Sequence, residues 1–242
     1  MPNMKEFLIR PARFLNRFDA LIQYFGKSNW LGFYRQIPIL LLAVLIGVLG
    51  GYGAVLFRFI IKSAQHLFYG NSEEYLSFAD TIPWYMTIGI PALGGLIVGI
   101  IVYVGAREAK GHGVPEVMEA VALKDGIIRK RVAAVKIFAS AICISSGGSV
   151  GREGPIVQIG ASIGSTVSQI SRVPRGYRKT LVGCGAAAGI AATFNAPIAG
   201  VLFALEILLG DFGVAAFSPV VISSVMATTI SRQFFGDFPA FI

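Results

Sequence analysis

Two charged residues in a glycine-rich, otherwise apolar stretch are the first candidates for chemistry in this sequence. Residues 147–160 read Gly-Gly-Ser-Val-Gly-Arg-Glu-Gly-Pro-Ile-Val-Gln-Ile-Gly, with Arg152 beside Glu153. Pro155 lacks an N–H and has a φ close to the helical value, so the spacing predicts a helix that begins near Glu153. The first N–H groups of a helix have no intrahelical partner and carry a partial positive charge, so this helix end attracts anions.

Two further breaks in apolar stretches repeat this arrangement. Residues 111–116 read Gly-His-Gly-Val-Pro-Glu, and Pro115 predicts a helix of about ten residues, too short to cross a bilayer. The break at Asn195-Ala196-Pro197 divides residues 180–209 into two shorter helices, with Asn195 as the N-cap of the second. Irregular backbone survives at membrane depth only where protein or a water-filled cavity satisfies it, so the three breaks predict one common site.

The composition predicts an integral membrane protein. Hydrophobic residues make up 55% of the chain, charged residues only 14%, and there are 29 glycines. The excess of Lys and Arg flanks apolar runs, which is typical of cytoplasmic loops and argues against nucleic-acid binding. One such basic loop is expected to contain Arg172, Arg175, Arg178 and Lys179. Cys143 and Cys184 lie inside apolar runs and are interpreted as small hydrophobic residues. Neither a metal-ligand cluster nor a hydrolase triad is recognisable, so we expect no enzyme, no metal site and no cofactor.

The elements that position these residues are all predicted to be helices. Apolar spans are expected at 37–61, 84–104 and 214–230, and a further apolar run covers 132–146. Glycines 47, 50, 51 and 53 give the first span a smooth packing face. Residues 1–35 alternate basic and aromatic residues at helical spacing, which predicts an amphipathic helix on the cytoplasmic surface. Residues 36–232 then form the multi-pass domain in the cell membrane, residues 69–82 an acidic external loop, and residues 233–242 a short tail.

Three motifs in order resemble those of the CLC family of chloride channels and chloride/proton exchangers. Residues 111–115 are similar to its Gly-Ser-Gly-Ile/Val-Pro motif, and residues 151–155 match its Gly-Lys/Arg-Glu-Gly-Pro motif. Residues 185–189 and 194–200, Gly-Ala-Ala-Ala-Gly and Phe-Asn-Ala-Pro-Ile-Ala-Gly, match a further characteristic run. The resemblance covers roughly residues 35–232.

The resemblance implies a fold, a substrate and a gate. The fold is the first of two inverted repeats, all-α, with broken helices ending at mid-membrane, and it needs the missing second half as well as a homodimer partner. Chloride is the implied substrate and Glu153 the implied gate, whose carboxylate occupies an anion position until it is protonated or displaced. The implied anion-binding residues are Gly111, His112, Gly113, Val114, Arg152, Glu153 and Gly154.

Two residues depart from the family pattern. His112 replaces the usual serine of the first motif, which changes the donor expected at the central anion site. Ile207 stands where exchangers often carry an internal proton-transfer glutamate, directly after Glu206. Proton coupling is therefore not expected unless Glu206 or His112 substitutes, and Glu116 and Glu206 are candidates for a proton path or a vestibule.

Alternative roles stay open for several residues. Each has a purely structural alternative. Glu153 could be a simple helix cap, Arg152 could hold the loop through hydrogen bonds to carbonyls, and Lys136 could pair with Glu116 or a carbonyl. His112 could serve only in packing or hydrogen bonding, and Glu206 could simply face water near the cytoplasmic exit. At the level of the whole chain, the alternatives are a proton-coupled chloride antiporter and an inactive or auxiliary membrane subunit. A phosphate loop is disfavoured at 147–154, since no Gly-Lys-Ser/Thr ending follows and Pro155 removes an N–H.

Overall fold

The computed structural model describes residues 36–70, 83–105 and 113–237, and every regular element in these ranges is a helix. The helices are α1 (Ile37–Tyr69), α2 (Trp84–Gly105), α3 (Val114–Leu123), α4 (Lys130–Ser145), α5 (Glu153–Ile170), α6 (Arg175–Phe194), α7 (Pro197–Phe203), a π-helical turn (Ala204–Leu209) and α8 (Val214–Phe235). Several predictions concern residues outside these ranges. They are the predictions for residues 1–35, for nearly all of the acidic loop, for Gly111 and His112, and for the end of the tail.

Helices α5 and α6 form the centre of the bundle. Nearly all of α6 from Leu181 to Ala192 is buried, and the residues along this stretch are mainly Gly and Ala. The backbones approach so closely that a Cβ added at Gly185 would lie 2.7 Å from the carbonyl carbon of Gly160. Small residues at this crossing therefore place α5, and with it Glu153 at its first position, in a fixed relation to α6.

The glycine face predicted on α1 is confirmed. A Cβ at Gly50 would lie 2.8 Å from the Cβ of Ala188 on α6, and a Cβ at Gly51 would lie 3.0 Å from the carbonyl oxygen of Ala227 on α8. Helix α1 thus packs into the groove between α6 and α8 through residues without bulky side chains.

Helix α2 lies on the outside of the bundle and packs mainly on α4. Gly94 is its only buried residue and lies against the side chain of Ser146. In the described part of the chain, α1, α2 and α8 are long and apolar enough to cross a membrane. This result agrees with the three spans expected from the sequence. The further apolar run at 132–146 lies mostly in α4, a helix of 16 residues that is shorter than a full span.

Helix bounds were predicted closely where proline or glycine marks an end. Helices α3 and α5 begin at Val114 and Glu153, as expected from the prolines that follow. Helix α1 continues past the predicted end to Tyr69, where Gly70 in the left-handed conformation stops it. Helix α8 continues to Phe235, three residues into the predicted tail.

Two local predictions were wrong. Asn195 was expected to cap the start of α7, but it has φ 53° and is the left-handed C-cap of α6, while Ala196 occupies the N-cap position of α7. The basic residues Arg175, Arg178 and Lys179 were expected in a loop, but they lie in the first turns of α6. Pro174 precedes that helix, so its extended backbone and not the basic charge marks the boundary.

Candidate functional site

The N-terminal ends of α3 and α5 meet at Gly113 and Gly154, and we call this contact the helix junction. Gly113 is buried, has φ +79°, and leaves no room for a side chain, because a Cβ would lie 2.6 Å from the carbonyl oxygen of Gly154. Only glycine adopts this conformation at such a close approach without strain. Val114 and Pro115 then form the first turn of α3, as the motif at 111–115 predicted.

Neither helix at the junction has a side-chain cap. Gly113 and Arg152 hold the N-cap positions, and in the described part of the chain no side chain accepts a hydrogen bond from the first-turn N–H groups of α3 or α5. Two helix ends with unused N–H donors therefore lie next to each other. Both ends carry partial positive charge, so the junction is electrostatically suited to an anion.

Glu153 is the first residue of α5, and its side chain is exposed. The carboxylate folds back against Gly151, into the space that a Cβ of that glycine would need. Among the described residues, no hydrogen bond or ion pair holds this carboxylate. Glu153 is thus placed at the positive end of α5, and within the described residues its carboxylate is not engaged as a helix cap.

Arg152 connects the junction to the break after α6. Its guanidinium lies over the ring of Phe194, the last residue of α6, at 5.4 Å from the ring centroid. This geometry is a cation–π contact. Within the described ranges, no loop carbonyl accepts a hydrogen bond from the Arg152 side chain. The alternative in which Arg152 holds the loop through such bonds is therefore not supported.

A buried polar group lies behind the junction. Gln158, one turn into α5, is fully buried, and its side-chain amide donates to the Glu116 carboxylate at 2.6 Å. Its amide oxygen faces Gly113, 3.3 Å from the Cβ position of that residue. Glu116 also interacts electrostatically with Lys136, which is buried on α4. Lys136 and Glu116 are therefore close enough for the charge attraction on which the expected pairing depends.

Gln158 was missed by sequence reasoning. The signal was its position on the buried face of α5, where a polar side chain among Ile156, Val157 and Ile159 requires a hydrogen-bond partner.

Glu206 and Ile207 lie apart from this group. Both are in the π-helical turn after α7 and both are exposed, Ile207 to 42%. Their neighbour Leu208 is buried in the cluster that contains Val117 of α3. The structure thus brings the turn next to α3, but no described hydrogen bond or ion pair joins Glu206 to the junction.

Comparisons with known proteins agree with the motifs. Residues 94–242 match the family model described as voltage gated chloride channel. A ClcB-like chloride channel protein of Ralstonia nicotianae is 37% identical over 82% of this chain and 47% of its own length. The voltage-gated ClC-type chloride channel ClcB of Escherichia coli O81 is 36% identical over 80% of this chain and 46% of its own length. The chain therefore spans about half the length of these curated relatives.

Solved structures show the same fold. A CLC-type fluoride/proton antiporter matches with a TM-score of 0.68 and 27% identity, over 85% of this chain and 49% of the other. A eukaryotic CLC transporter matches with a TM-score of 0.68 and 21% identity, over 81% of this chain and 38% of the other. The helices described above thus correspond to part of a larger membrane fold.

Proposed function

Because the chain belongs to the voltage-gated chloride channel (CLC) family, we propose that it supplies one half of a transmembrane anion pathway gated by Glu153. One observation carries this proposal. The N-termini of α3 and α5 touch at Gly113 and Gly154, and neither has a side-chain cap. The carboxylate of Glu153 stands at the first position of α5. Such an end stabilises an anion without a fixed positive side chain, which allows the anion to leave again.

Chloride is the proposed substrate. The curated relatives at 36% and 37% identity are named as chloride channels, whereas the similar antiporter structure is named for fluoride. The proposed anion-binding groups are the backbone N–H groups of Gly111, Gly113, Val114 and Gly154, with His112 as a side-chain donor. Arg152 contributes to this site through its backbone position at the N-cap of α5. Backbone N–H groups distinguish poorly between small anions, so fluoride is the anion to compare with chloride.

The complete pathway is proposed to need partners. The chain spans about half of its relatives, so a complementary half would supply the remaining donors around the anion. A homodimer in the lipid bilayer, with the N-terminus on the cytoplasmic side, completes the proposed assembly. An anion with incomplete coordination in a low-dielectric site is costly, so this chain alone should bind chloride weakly and should not conduct.

The gate is proposed to act by charge. Glu153 is a negative group at a helix end that attracts negative groups, so its carboxylate competes with chloride for the same position. Protonation removes the negative charge and a rising chloride concentration displaces the side chain, so either change opens the path. The exposed position of Glu153 against Gly151 supports this proposal, because the side chain can reach the helix end by rotating about its own bonds.

Passive transport is favoured over proton-coupled antiport. Ile207 occupies the position where an internal proton acceptor is expected, and Glu206 beside it is exposed without a described link to the junction. The antiporter alternative is kept because a similar solved structure is a fluoride/proton antiporter. An imposed chloride gradient that drives stoichiometric uphill proton movement would favour the alternative. An assembly that binds no anion would favour the auxiliary subunit.

The decisive experiment measures chloride efflux from liposomes that contain this chain assembled with its complementary half, between acidic and neutral pH. Glu153→Gln should conduct at neutral pH and lose activation by acid. Glu119→Gln is the matched control, because it removes a carboxylate that pairs with Lys124 at 2.9 Å, away from the junction. If Glu153→Gln and Glu153→Ala both kept the parent's pH dependence, the gate would have to lie elsewhere.

A further inference from the structure

Two arginines from different helices face the same small cavity beside the helix junction. Arg58 on α1 lies over the ring of Phe235 at 4.2 Å from its centroid, and Arg152 lies over Phe194. The cavity between them is also lined by Ala54, Ile61 and Thr193. Each aromatic ring holds one guanidinium in place, so the two positive groups are fixed toward a common space.

The two guanidiniums repel each other and have no anionic partner in the described part of the chain. Arg58 is close enough to Arg152 for a Coulombic interaction, and both side chains are half-buried. Within residues 36–70, 83–105 and 113–237, no carboxylate lies within ion-pair distance of either, and neither donates a described hydrogen bond. Half-buried charges of the same sign without a counter-charge are costly, and an anion between them removes that cost.

A third arginine shows the contrast. Arg232 on α8 pairs with Asp237 at 3.1 Å and donates to the side-chain oxygen of Asn195 at 2.8 Å. The chain therefore satisfies this arginine with its own groups in the same part of the bundle, next to the end of α6. Within the described ranges, the lack of a carboxylate partner thus distinguishes Arg58 and Arg152 from Arg232.

We propose that the Arg58–Arg152 cavity binds one small monovalent anion of the halide class, as a second anion site apart from the helix junction. Its volume of about 10 Å³ is close to that of one water-sized sphere, so sulfate is excluded and a halide ion, which is somewhat larger than water, enters only with a slight outward shift of the lining side chains. The guanidinium N–H groups donate from both sides, and the hydroxyl of Thr193 is a further donor. None of the junction glycines lines this cavity.

The anion would also connect halide concentration to the gate. Arg152 directly precedes Glu153, so an anion that holds the Arg152 side chain fixes the backbone from which the Glu153 side chain extends. This consequence for the gate rests on the proposed function, whereas the anion site itself does not. The test therefore measures anion binding and not transport.

The experiment is thermal unfolding of this chain in detergent, with sodium chloride, bromide, sulfate or gluconate at equal ionic strength. Chloride and bromide should raise Tm by about 2–4 °C above gluconate, in a saturable manner, because an anion that binds only the folded state stabilises it. Sulfate should match gluconate.

Substitutions then assign the effect to the cavity. Arg58→Gln should lose at least half of the halide-dependent rise, while Lys62→Gln, which removes the same charge from an exposed position one turn further along α1, should keep it. Arg58→Glu should raise Tm in gluconate and abolish the halide dependence, because the new carboxylate pairs with Arg152. This third variant remains informative if Arg58→Gln folds poorly.

The opposite results would overturn the proposal. Arg58→Gln with an unchanged halide effect would place any binding elsewhere, for example at the helix junction. Equal Tm in chloride and gluconate would show that a carboxylate of the chain itself neutralises the pair.

Discussion

Replacing Gly185 by alanine should destabilise the protein more than the same substitution at any exposed glycine. A Cβ at Gly185 would lie 2.7 Å from the carbonyl carbon of Gly160, whereas carbon atoms in good contact are about 3.5–4.0 Å apart. The nearest neighbours of this Cβ are backbone atoms of α5, so α5 and α6 must separate by roughly 1 Å. Overpacking of this kind costs about 1–3 kcal/mol.

The matched control is Gly99→Ala in the middle of α2, where an added Cβ meets nothing within 4 Å. Alanine favours helix over glycine, so this variant should be neutral or slightly more stable. For a protein of this size, the cost at Gly185 corresponds to a fall in Tm of about 2–12 °C, measured by thermal unfolding in detergent. Equal Tm values for the two variants would refute the packing of α5 on α6 described above.

Three further predictions concern polar contacts. Ser165→Ala should lower the free energy of unfolding by about 1–3 kcal/mol in chemical unfolding. The reason is that the buried hydroxyl donates to the Gly126 carbonyl at 2.6 Å and accepts from the Ile128 N–H at 2.9 Å. An unchanged free energy of unfolding would contradict both bonds. Gln158→Leu should lower Tm, because it removes the hydrogen-bond donor to Glu116. The double variant Gln158→Leu with Glu116→Gln should recover part of this fall in Tm. Additive falls in Tm for the two substitutions would argue against the contact. Asn195→Gly keeps the left-handed C-cap and should lower the free energy of unfolding by less than about 1 kcal/mol. Asn195→Val is strained at φ 53° and should lower it by about 1–3 kcal/mol. Equal Tm values for the two variants would contradict the cap.

The sequence was sufficient to predict those parts of the fold that depend on local rules. Proline and glycine constrain the backbone of their own neighbourhood, so the starts of α3 and α5 and the packing face of α1 were predicted correctly. Asn195 shows where local rules fail, because the same residue type is favoured both before a helix and, in the left-handed conformation, after one. Only the position of the two helices in space decides between these roles.

The contacts between distant residues could not be predicted from the sequence. Gln158 donates a hydrogen bond to Glu116, which is 42 positions away in the chain. Arg58 and Arg152 are farther apart in the sequence and yet lie close enough to repel each other. Neither pair has a spacing that a motif would reveal, since each depends on how three or more helices cross. The motifs thus identified the helix ends of the candidate site, whereas the groups behind and beside it required the structure.

The burial of α6 has a consequence for how the chain enters the membrane during synthesis. Neither α5 nor α6 is among the helices apolar enough to cross a membrane by composition, although both lie at the enclosed centre of the bundle. Its Gly and Ala residues permit close contact with neighbouring helices but contribute little to transfer into lipid. Insertion of α6 therefore depends on helices that pack around it, including α8, which is synthesised later. Nascent chains that end before Val214 should accordingly hold α6 poorly in the bilayer, and its integration should become stable only when α8 leaves the ribosome.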